Sequence, residues 1–374
     1  MPFFLLLAVA LILYGSLYPF HFAALPRATE PLEAILQGWP SGWSRWVFRD
    51  ITVNIVLYAP LGLAAAMTLL RRYSRAISVA VAIIGGFALS ASMELAQVYI
   101  PVRSPNALDI VTNTMGAALG AVVAVAAEQR IRSLTATAKG GYRAAGTILL
   151  LLWGVHEFFP LFPEIGRGHI YDGLRALLHT GRPPLVETWV TAAEWFAVGL
   201  ALDSVFARMR TWWLAAATAV ALAAQLAVVE RNLTLSEVVG AAVALAAWHF
   251  LPGAKRAKVC AWWLGSAILL RELRPFYFLA IPQPFRWVPF AASLEAGRDA
   301  ATVVLARKAF DYGAMIFALR LTGWSYWRAG IALAAALTAT AAIQTYLPGR
   351  VPELTDALLT LLMMLVLQKA GKGK

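Results

Sequence analysis

Seven polar residues in the first third of the chain are spaced to do chemistry. Glu94 and Gln97 lie three apart; Asp109 and Asn113, and Asp50 and Asn54, lie four apart. On a helix each pair shares a face. Arg103 sits in the turn "IPVRSPN" that separates the first two pairs. A guanidinium can hold a phosphate or carboxylate through paired hydrogen bonds. A carboxyl beside it can serve as general acid or base. Glu94 and Asp109 are therefore the candidate acid and base. Asp50, Asn54, Gln97, Arg103 and Asn113 are the candidate ligand contacts. Pro105 and Asn106 open the segment that carries Asp109: Asn is a favoured helix N-cap, and Pro is tolerated near the first turn. Asp109 then falls in the first turn, where the helix dipole favours a negative charge.

The elements that must position these residues are apolar. The chain has 374 residues, 60% hydrophobic and only 14% charged. Its apolar residues come in blocks of about 20, enough helix to cross a hydrocarbon core of roughly 30 Å. The expected fold is all-α: a polytopic membrane protein of about twelve spans. They lie near 3–20, 51–70, 76–99, 107–127, 144–160, 188–206, 212–230, 234–251, 259–275, 300–320, 326–347 and 353–369. Alternating ten-residue segments are absent, which excludes a β-barrel. The opening run "MPFFLLLAVALILYGSLYPF" lacks a basic start and a small-residue cleavage site, and reads as a retained first helix.

The connecting loops alternate in charge. "RRYSR", "ARMR", "GAKRAK" and the tail "QKAGKGK" belong to a Lys- and Arg-rich set whose one clear acid is Glu128. The other set has Arg but no Lys, and most of the Asp and Glu. The positive-inside rule places the basic set, and both termini, in the cytoplasm. The net charge of +12 is then an orientation signal, and no nucleic-acid partner is expected. The long loops 21–49, 161–187 and 276–298 mix Trp, Pro and Leu, as amphipathic stretches at a membrane interface do. One cysteine, Cys260, excludes an internal disulfide and a multi-Cys metal site. The His residues lack metal-ligand spacing, and no cofactor motif is present. Lys308 and Asp311, three apart, are expected to pair with each other.

Three long loops at intervals of four spans suggest an internal repeat. "QVYIPVRSPNALD" (97–109) returns as "QTYLPGRVPELTD" (344–356), with Gln, Tyr, Pro, Arg, Pro and Asp at the same spacing. "SLYPFHF" (16–22) returns as "ELRPFYF" (272–278), and "FRD" (48–50) as "GRD" (297–299). A middle copy keeps Gln225 and Arg231 and places Glu237 where Asp would fall. The expected organisation is three related four-helix units in parallel orientation: 1–140, 141–256 and 257–374. Gln344, Arg350 and Asp356 form a secondary repeat site. There Ala341 replaces Glu94, and Thr360 replaces Asn113.

The runs "RDITVNIVLYAPLG" (49–62) and "SMELAQVYIPVRSPNALDIVTNTMGAALG" (92–120) resemble the VanZ-like family of bacterial membrane proteins, named for a protein linked to reduced teicoplanin susceptibility. The resemblance covers residues 1–127 well and 257–374 in part. It implies a place in the bacterial cell envelope, and residence in the inner membrane, without supplying a reaction. Three functions stay open: recognition or modification of an outer-leaflet lipid-linked or anionic molecule, transport with the carboxylates as proton or cation site, or a non-catalytic envelope scaffold. Membrane lipids are the common partner of all three.

Overall fold

The computed structural model describes every residue except 25–29, 137, 160–165, 180–181, 207–208, 229–232 and 372–374. Arg231 of the middle repeat lies outside the described residues. The described chain is helical, with one isolated bridge between Arg286 and Glu353. It divides into two compact units, Met1–Ser133 and Leu134–Lys374.

The first unit contains α1 (Pro2–Leu17), α2 (Pro31–Gln37), α3 (Arg45–Leu69), α4 (Arg75–Gln97) and α5 (Ala107–Ala126); α6 (Glu128–Ala136) follows. Hydroxyl and amide side chains start the long helices. Ser44 caps α3 through Val47 N, and Ser74 caps α4 through Ile77 N. Asn106 caps α5, its Oδ1 accepting from Leu108 N at 2.8 Å, as its type and position predict. Helices α3 and α5 pack through glycines. A Cβ at Gly62 would overlap the Ala117 carbonyl, and one at Gly120 the Ala59 carbonyl. Only glycine permits that approach, the usual way that membrane helices gain contact. Helix α4 covers the α3–α5 pair, and α1 lies against α3 and α4. Ile12, Tyr58, Leu61 and Met93 join α1 to the bundle.

The second unit contains α7 (Ala138–Phe158), α8 (Arg167–His179), α9 (Leu185–Phe206), α10 (Thr211–Gln225), α11 (Leu235–Phe250), α12 (Gly253–Leu273), α13 (Ala291–Glu295), α14 (Arg298–Leu321), α15 (Tyr326–Gln344) and α16 (Thr355–Gly371). One core runs through it, with Phe196, Trp248, Phe310, Tyr312 and Phe317 fully enclosed. Cys260 is buried in the same core.

A helix occupies each of the twelve expected segments. By length and composition five of the described helices can cross a membrane: α3, α4, α5, α9 and α15. Helices α1 and α11 are apolar but have 16 residues each, about 24 Å of rise against a core of roughly 30 Å. Helix α14 has the length but carries Arg307, Lys308 and Asp311 within it. The shorter α2, α8 and α13 fall inside the three long loops.

Candidate functional site

The polar residues of the first unit gather at one end of its bundle, where α1 and α4 finish and α3 and α5 begin. Each joins one segment of the unit to another. Asn54 on α3 donates from Nδ2 to Thr112 Oγ1 on α5 at 3.3 Å. Asn113, one residue on, donates from Nδ2 to Ser90 Oγ on α4 at 2.9 Å. Glu94 near the end of α4 accepts from the backbone N–H of Asn106 at 2.7 Å. That group belongs to the N-cap of α5, so Glu94 fixes where α5 starts. All three side chains are buried.

Gln97 and Arg103 reach back to α1. The last carbonyls of a helix have no partner within it. Gln97 Nε2 donates to Ser16 O at 2.9 Å. Arg103 donates from Nε to Tyr18 O at 3.0 Å, and from Nη2 to Gly15 O at 2.8 Å and Tyr18 O at 2.9 Å. A cation at a helix C-terminus also meets the negative end of the dipole. Two of the guanidinium nitrogens that sequence reasoning reserved for a ligand are thus engaged by main-chain carbonyls. Asp109 sits in the first turn of α5, half-buried, and its carbonyl accepts from Thr112 Oγ1. Asp50 is exposed on α3, one turn before buried Asn54.

One polar atom of this group has no partner: Asn113 Oδ1 is buried without a hydrogen bond. Leaving a carbonyl unsatisfied inside a protein costs about 1–3 kcal/mol. The aromatic residues near this end stand out from the protein surface; Trp43 is 62% and Trp46 65% exposed. Sequence reading gave no role to two partners in the cluster. Thr112 reads as an ordinary helix residue, although it precedes Asn113. Ser90 could have been found, since it lies four residues before Glu94 on the same face.

The same joints recur in the second unit. Gln344 Nε2 donates to Glu272 O at 3.1 Å and to Glu272 Oε2 at 2.9 Å. Arg350 donates to the carbonyls of Arg274 and Arg271 at the end of α12. Phe276 has φ 65°, as Phe20 has φ 62° in the first unit. Gln225 donates to Glu157, at the end of α7. The acidic position differs. Asp356 pairs with Lys308 at 2.6 Å, and the shared Arg-Asp of 49–50 and 298–299 aligns that lysine with Ala59.

The expected Lys308–Asp311 pair is corrected. Asp311 instead binds Arg271 Nη2 at 2.5 Å, because partners on neighbouring helices present their charges more directly than the next turn does.

No curated protein and no solved structure matches the chain. The family model described as VanZ/LLP1 matches residues 2–128, the stretch that holds the whole first polar cluster. That stretch, with its apolar, membrane-length helices, is similar to the VanZ/LLP1 family.

Proposed function

We propose that this VanZ-type membrane protein recognises or modifies the polar head of a lipid-linked molecule of the bacterial cell envelope, at the outer end of its first unit. The unpartnered Asn113 oxygen carries this reading. It is a buried acceptor in the middle of an otherwise satisfied network, and a donor on a ligand, such as a sugar hydroxyl or an ammonium, would satisfy it. Asp109, four residues earlier on the same face, is the proposed acid or base. Glu94, Gln97, Asn54 and Arg103 hold the helix ends around them, and Asp50 stands at the rim. The lysine-rich loops support placing both termini in the cytoplasm of a cell with an inner membrane, and the exposed Trp43 and Trp46 support a headgroup-level rim.

The repeated Gln and Arg joints support three related four-helix units, divided near 140 and 256. The site at Gln344, Arg350 and Asp356 is then a structural copy, because Lys308 neutralises its carboxylate. A second reading is favoured by the joints of the first unit themselves: Glu94, Gln97 and Arg103 all bind main-chain groups, as a scaffold would need.

Two sets of variants separate these readings. Asn113→Ala and Asp109→Asn, expressed at normal level, are expected to abolish the envelope phenotype. Arg103→Ala and Gln97→Ala are expected to lower the amount of folded protein. A full phenotype from both Asn113→Ala and Asp109→Asn would leave only the scaffold.

A further inference from the structure

The second unit holds a cavity of about 380 Å³, within the size range of small-molecule pockets, roughly 300–1,000 Å³. It lies where α7 and α12 end and α9 begins. Trp153 and Trp195 form part of its wall, and Glu157, Glu194, Arg271 and Arg307 are among its charged residues. None of these belongs to the VanZ-like stretch. The cations are unequally occupied. Arg271 is shared between Glu194 at 3.2 Å and Asp311 at 2.5 Å, and nearby Arg274 faces Glu187 at 3.5 Å. Arg307 lies within electrostatic reach of Glu194 but makes no contact ion pair among the described residues, and its Nε is buried without a hydrogen-bond partner.

A buried guanidinium nitrogen without an acceptor is costly, and the planar fork fits a phosphate. Yet an anion alone would enter a wall that also carries Glu157, Glu187, Glu194 and Glu237. A cation alone would leave Arg307 unsatisfied. Among the described residues no His, Cys, Asp and Glu group has metal-holding geometry, so the cation that suits these carboxylates is an organic one, and the two Trp rings add an attractive face for it. We propose that the cavity binds a zwitterionic phosphate ester, with the phosphate on Arg307 and a primary ammonium between Glu194, Glu157 and the Trp pair. Helix ends lie at headgroup depth, so a phosphoethanolamine lipid has both the chemistry and the position.

The test uses the full chain, purified in detergent and stripped of lipid. Tryptophan fluorescence follows titration with dihexanoyl phosphatidylethanolamine, dihexanoyl phosphatidylglycerol and free phosphoethanolamine. Saturable binding of the first, at least tenfold tighter than the second, is expected. Arg307→Gln should weaken it about tenfold or more, and Arg307→Lys should restore most of the loss. Tight binding of free phosphoethanolamine would keep the zwitterion and name a soluble ester as its source. Equal binding of the two lipids, or no saturable binding of either zwitterion, overturns the proposal. So does unchanged affinity in Arg307→Gln; if that variant fails to fold, the lipid selectivity of the unaltered protein decides alone.

Discussion

Arg103 shows how a residue type can be legible while its task is not. An arginine in a polar turn reads as a ligand contact, because sequence marks side chains and is silent about main-chain carbonyls. Its acceptors, Gly15 and Tyr18, lie far back in the chain at the end of α1. Arg103→Ala removes three hydrogen bonds from a charged donor and is expected to cost about 2–4 kcal/mol, read as lowered thermal stability in detergent. Lys308 carries the same lesson with opposite sign. Spacing suggested Asp311, and the fold delivers Asp356. Lys308→Met leaves a buried carboxylate alone and should cost about 3–5 kcal/mol. Adding Asp356→Asn should recover much of that loss, a coupling that a double-mutant cycle measures. Asn106, by contrast, was fully legible: its cap bond depends on local chain geometry alone.

At the level of elements, the helical class was readable because length and composition are properties of each block by itself. Membrane crossing is more demanding, and α14 marks the difference. Two of its charges, Asp311 and Lys308, are compensated by α12 and α16, partners that a single segment does not reveal. The small residues around 116–121 form a packing face against α3, a partner that the segment alone does not name. Gly120→Leu should push α3 and α5 apart. Overpacking costs about 1–3 kcal/mol in cores that can adjust, and here the obstacle is the Ala59 main chain. The expected result is loss of folded protein after detergent extraction, while Gly15→Leu, with nothing near it, should be neutral.

At the scale of the whole molecule, the two units carry separate cores. Residues 1–133 expressed alone are expected to insert and to unfold in one cooperative step, followed by circular dichroism in detergent. The proposed orientation is equally open to measurement, since Cys260 is the one cysteine and is enclosed. In a Cys260→Ala background, cysteine at Ser41 should react with an impermeant maleimide on intact cells. Cysteine at Ser74 should react only after permeabilisation. The reverse pattern would invert the protein and move the first site to the cytosol.

The glutamine joint of the first unit takes hold of a carbonyl, Ser16 O, and every amino acid supplies a carbonyl. Mutation at position 16 therefore leaves the acceptor in place, and the joint fixes the backbone without fixing the letter. In the second unit Gln344 likewise takes a carbonyl, that of Glu272, so a glutamate serves there where a serine serves in the first. Likeness between the two sites is better traced through who grips the backbone than through which letters agree.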